Sequence, residues 1–134
     1  MTARRLAPSL DDIERLARAA FDDIPEPLRV KVAEVAIHVV DFPDDETLAE
    51  MGMESPWDLT GLYRGVPLTE RSVSGDHGRL PDTVHLYRQP ILAEWCESGE
   101  TLEDIVYDVV IHEIGHHFGF SDADIDYLQS DEAD

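Results

Sequence analysis

A single cysteine, Cys96, stands in this chain of 134 residues, so no intrachain disulfide can brace the fold. That scarcity fits a reducing compartment and gives a cytoplasmic location as the expectation. Glu94 and Glu97 flank Cys96 and oppose a thiolate, so a partly buried structural cysteine is expected rather than a nucleophile. Basic residues are also few. Ten Lys and Arg face thirty Asp and Glu, for a formal net charge of −20. Six of the ten fall within the first 31 positions, and none follows Arg88, whereas 13 Asp and Glu lie between Gln89 and Asp134. Phosphate binding needs clustered Lys and Arg, so neither nucleic acid nor an anionic membrane is expected as a partner. No apolar run is long enough to span a bilayer. The arginines near the N-terminus are not followed by the apolar stretch of a secretory signal. There is no internal repeat and no low-complexity tract.

What is present suits one folded unit. Hydrophobic residues make up 43% of the chain and recur along most of it. The expectation is a single domain over residues 1–134, with about eight N-terminal and about five C-terminal residues flexible. Ser9 is placed to cap a helix carrying Leu10, Ile13, Leu16, Ala17, Ala20 and Phe21 at helical spacing. Val35–Asp41 is β-branched and predicts a buried strand. Asp44–Met51 predicts a short helix, and Gly52–Gly61 a loop. Leu62–Thr69 predicts an edge strand, since Gly65 and Pro67 demote it from the centre of a sheet. Arg71–Leu80 predicts a loop, Thr83–Arg88 a second strand, and Pro90 to Glu97 a short helix.

The strongest helix begins at Thr101, and Thr101 and Asp104 are placed like a capping pair. Leu102, Ile105, Val106, Val109, Val110, Ile114 and Phe118 recur along it at helical spacing. Gly119 is a natural stop because glycine tolerates positive φ. Ser121 can then cap a last short helix from Asp122 to Leu128. Within this stretch runs His112-Glu113-Ile114-Gly115-His116-His117-Phe118-Gly119-Phe120-Ser121-Asp122. His112 and His116 are one turn apart and project from one face, so two imidazoles can reach one metal ion. H-E-x-x-H on a helix is a zinc-peptidase signature for this reason. Gly119 turns the chain back, and Asp122 stands where a third ligand is expected. Glu113 falls inside the apolar arc, where an unpaired carboxylate is costly, and beside a metal cleft it is suited to act as a base. His117 projects about 140° from His112 and is read as packing or supporting the site. Asp108 can orient a ligand, although an ordinary polar helix position accounts for it equally well. His38, His77 and His85 are read as structural or surface residues.

With these residues in view the chain resembles the small bacterial zincin-like metallopeptidases, or minimal zincins. Gly61-Leu62-Tyr63-Arg64-Gly65-Val66-Pro67-Leu68-Thr69-Glu70-Arg71 is similar to that family's G-L-[YF]-x-G-x-P-L-T-x-R segment. Leu80-Pro81-Asp82 and Arg88-x-Pro90 are similar to its L-P-D and R-x-P elements. The resemblance implies an α+β, zincin-like fold in which a small mixed β-sheet packs on the helix carrying HExxH. It also implies one zinc ion per chain, held by His112, His116 and Asp122, with Glu113 catalytic. The motif is similar to that of the metzincins too, but no methionine stands between Asp122 and Asp134, so a Met-turn like theirs is not expected.

The function expected is zinc-dependent peptide-bond hydrolysis, with Glu113 as general base. The partner expected is a peptide or protein substrate, with a preference for basic ones because of the negative field. Such a peptide is expected to lie along an extended edge such as Leu62–Thr69, with Tyr63 or His117 as candidate oxyanion donors. One alternative is a zinc-stabilised interaction module without turnover. Another is a metal-dependent endoribonuclease with a related histidine spacing. Glu113 and the lack of basic residues around the motif count against the second.

Overall fold

The computed structural model describes residues 6–26, 28–65 and 82–119. Helix α1 spans Leu10–Asp22, and the single turn α2 spans Leu28–Lys31. Strand β1 (Ala36–Val40) leads to α3 (Asp45–Met51), followed by a 3-10 turn at Pro56–Asp58. Strands β2 (Gly61–Arg64) and β3 (Thr83–Tyr87) precede α4 (Arg88–Ser98) and α5 (Leu102–His117).

The helix ends are written in local chemistry. The Ser9 hydroxyl accepts the Asp12 N–H and the Asp12 carboxylate accepts the Ser9 N–H, which completes a capping box on α1. The Asp44 carboxylate accepts the Thr47 N–H, and this hydrogen bond holds the Asp44 carboxyl below its ordinary range. The Thr101 hydroxyl accepts the Asp104 N–H at 3.1 Å. Helix α5 closes just before Gly119, whose φ of 86° is the conformation its sequence anticipates.

The sheet has the order β1-β3-β2. Strand β1 runs parallel to β3 and β2 antiparallel to it, so the sheet is mixed as expected. Val84 and Leu86 of β3 are fully buried on one face, where Ile37, Val39 and Tyr63 also pack against the core. Helix α1 touches β1, and α5 touches β2 and β3; the two helices also lie against each other. Helix α5 therefore has neighbours on several sides, and its buried set is wider than a single stripe. Leu102, Ile105, Val106, Val109, Val110, Ile111, Ile114 and Gly115 are all buried. Complete burial of a side chain such as Ile114 is worth about 1.5–3 kcal/mol over leaving it in water. That holds the motif helix rigidly. Among the described residues no helix is long and apolar enough to cross a membrane.

Several expectations need correction. Strand β1 is not buried: Ala36 and His38 are exposed and the other three residues half-buried. It lies at one edge of the sheet and its second face opens on a cavity, so β-branched composition signalled a strand but not its depth. Cys96 is exposed, not partly buried, because it falls near the outer end of α4. Gly61 belongs to β2 rather than to the preceding loop, and Arg88 opens α4 rather than ending β3. The expected Arg71–Leu80 loop, the end of the Leu62–Thr69 segment and the Asp122–Leu128 helix lie outside the described residues.

Candidate functional site

His112, Glu113 and His116 occupy the last turns of α5. His112 Nδ1 lies 2.8 Å from the Asp108 backbone oxygen. A carbonyl oxygen only accepts, so Nδ1 carries the proton and Nε2 keeps its lone pair in the neutral ring. This is the orienting contact that metal-ligating histidines usually make. Asp108 does orient His112, but through its main chain.

The His112 and His116 ring centroids are 6.1 Å apart and the planes are inclined by 82°. Two imidazoles bound to one tetrahedral zinc through bonds of about 2.1 Å have centroids about 5.3 Å apart. The two rings therefore stand within about 1 Å of the separation a shared ion needs, a gap that a small side-chain rotation closes. Among the described residues no three His, Cys, Asp or Glu gather into a metal-holding group. The two histidines supply one pair of donors, and Asp122 lies outside the described residues. Glu113 is half-buried on the same turn. Burial pushes its carboxyl above the ordinary range, while His116 and then His112 pull it back. A carboxylate in such surroundings is a stronger base than one in water.

His117 points away from this pair, as its angular position demands. Its ring stacks on Tyr63 with centroids 3.8 Å apart, and its Nε2 lies 4.0 Å from Asp82 Oδ2. The Tyr63 hydroxyl donates to that oxygen at 2.8 Å, which commits the single phenolic proton. Sequence reasoning offered Tyr63 or His117 as a candidate oxyanion donor and did not foresee Asp82 between them. Local spacing carries no signal for it, because Tyr63 and Asp82 are 19 residues apart.

On the opposite face of the sheet, His38 and His85 stand at paired positions of β1 and β3 with ring centroids 5.1 Å apart. They line a cavity of about 390 Å³ together with Asp44, Thr47, Glu50 and Arg64. Burial lowers the His85 pKa, His38 and Arg64 lower it further, and Asp44 opposes them. His38 is a surface residue, as expected, and His85 is half-buried. His77 lies outside the described residues. Period-two alternation in the two strands is the signal that could have placed both rings on one face.

A family model described as zincin-like metallopeptidase matches residues 32–132, from the end of α2 across the whole sheet and the motif helix. The match supports a metallopeptidase type of function. No curated protein matches the chain.

Proposed function

The chain belongs to the zincin-like metallopeptidase family, and from that premise we propose that it hydrolyses peptide bonds at the C-terminal end of α5. The zinc ligands in this reading are His112 and His116, with Asp122 as the third, and Glu113 is the general base. The observation that carries the reading is the placement of Glu113. A carboxylate desolvated on the same turn as two neighbouring imidazoles is costly for structure alone and useful beside a cation.

Zinc, when bound, supplies Lewis acidity, polarising a carbonyl and making water more acidic. The protein's own groups do the rest. The Asp108 carbonyl fixes the His112 ring with Nε2 outward. Glu113 takes a proton from the attacking water on a carboxylate oxygen as hydroxide adds to the scissile carbonyl carbon. It returns that proton to the amide nitrogen as the C–N bond breaks, so each cycle ends with Glu113 ionised again. Among the described residues strand β2 is the terminal strand next to α5, and in this reading an extended peptide lies along its outer edge. The net charge of −20 favours basic peptides.

The test is cleavage of a mixed peptide library by the zinc-loaded protein and by Glu113→Ala. Cleavage by the wild type, reduced about 100-fold or more in the variant, is expected. Equal cleavage by both would sink the assignment of Glu113.

A further inference from the structure

Asp82 is the point at which the sheet, its edge strand and the motif helix are tied together. Its backbone carbonyl accepts the Ala36 N–H at 2.9 Å, so the start of β1 fixes its position. Its side chain is only 10% exposed, and a carboxylate buried to that degree needs partners. Tyr63 of β2 donates its hydroxyl to Oδ2, and His117 of α5 brings Nε2 to 4.0 Å from the same atom. The Tyr63 and His117 rings stack at an interplanar angle of 21°, and Phe118 meets both rings edge-on. Room for the carboxylate comes from Gly65. A β-carbon at that position would lie 2.5 Å from the Asp82 carboxyl carbon.

The link to the metal pair is covalent and geometric. His117 directly follows His116, and successive helix residues point about 100° apart. His117 can therefore anchor the last turn of α5 from its flank without entering the cleft. His116 is exposed one residue before the helix ends, where turns fray readily. Tyr63 carries the anchor to the strand beside which a substrate would lie. We propose that Tyr63, Asp82 and His117 form a positioning clamp. It holds the last turn of α5 against β2 and so sets His116 for zinc. The clamp rests on the zinc reading given above, and its three members are positioning residues with no part in the chemistry.

The experiment is a zinc titration against a competing chelator on the full chain. It compares wild type, Tyr63→Phe, Asp82→Ala and the double variant, with thermal unfolding of each metal-free protein measured alongside. Each single substitution is expected to weaken zinc binding by about tenfold. The double variant is expected to bind no more weakly than Asp82→Ala, because both substitutions break the same hydrogen bond. Tyr63→Phe keeps the ring stack, so its metal-free unfolding temperature stays near that of the wild type and it guards against a misfolded Asp82→Ala. Wild-type zinc affinity in Tyr63→Phe and in folded Asp82→Ala overturns the clamp, whatever happens to their unfolding temperatures. A wild-type chain that takes up no zinc overturns the metallopeptidase reading itself, a result distinct from binding that ignores the substitutions.

Discussion

The imidazole of His112 is held by the main-chain carbonyl of Asp108, one helical turn earlier, through a contact of 2.8 Å at Nδ1. The tautomer is thereby set, and Nε2 keeps the lone pair that the proposed zinc ion would need. His112→Ala and His116→Ala should each remove zinc from a chain that otherwise carries about one ion, as read by elemental analysis on protein purified without a histidine tag. Retention of a full equivalent by either variant would place the site elsewhere.

Glu113 should trade stability for chemistry. Its folded-state carboxyl is raised by burial, so ionisation costs the metal-free fold stability that the unfolded chain does not lose. Below the unfolded pKa of an ordinary glutamate the cost is absent. It grows as pH rises through the raised folded value and is complete above it. Glu113→Gln should therefore unfold at a higher temperature than wild type at pH 8, with the gap closing toward pH 4, while turnover falls about 100-fold or more. A metal-free variant no more stable than wild type at pH 8 would mean that the carboxylate is better solvated than its position indicates.

The parts of this arrangement that lie within one stretch of chain were legible from the residues. Ser9 with Asp12, Thr101 with Asp104, and Gly119 each act inside a turn or two, and their roles follow from capping chemistry. The shared face of His112 and His116 follows from the helical repeat. What the residues could not disclose is non-local. Asp82 meets Tyr63 and His117 only because β3 lies between β1 and β2. His38 meets His85 only through the strand register. Burial was misjudged where depth depends on what lies across the sheet, as in β1, or on where a helix meets solvent, as at Cys96.

His85 should make the fold sensitive to mild acid. Its pKa is lowered in the folded protein, chiefly by burial and then by His38 and Arg64, with Asp44 opposing. The unfolded chain takes up the proton first, so stability falls as pH drops below the ordinary histidine value of about 6.5, and the loss levels off below the folded value. His85→Gln should unfold with a shallower dependence on pH between about 5 and 7 than wild type. Parallel slopes for the two proteins in thermal melts would show that His85 takes up its proton as readily in the fold as in the unfolded chain.

The close seat of β2 on α5 should be the most sterically exacting contact near the site. A β-carbon on Gly61 would come within 2.5 Å of Val109 Cγ1 and 3.2 Å of the His85 carbonyl oxygen. The valine methyl can be removed, whereas the carbonyl is part of the ladder that joins β2 to β3. Gly61→Ala should therefore destabilise the protein by about 1–3 kcal/mol, the usual cost of overpacking. Val109→Ala alone should also destabilise it, by leaving a gap in the core. In the double variant the new methyl group occupies part of the space the valine vacates. Its loss of stability should be smaller than the sum of the two single losses by at least about 0.5 kcal/mol. Denaturant unfolding of the four proteins measures that coupling. Strict additivity would mean that β2 moves away from α5 as a unit, and zinc binding in Gly61→Ala would then report how far the edge strand can shift before the histidine pair is disturbed.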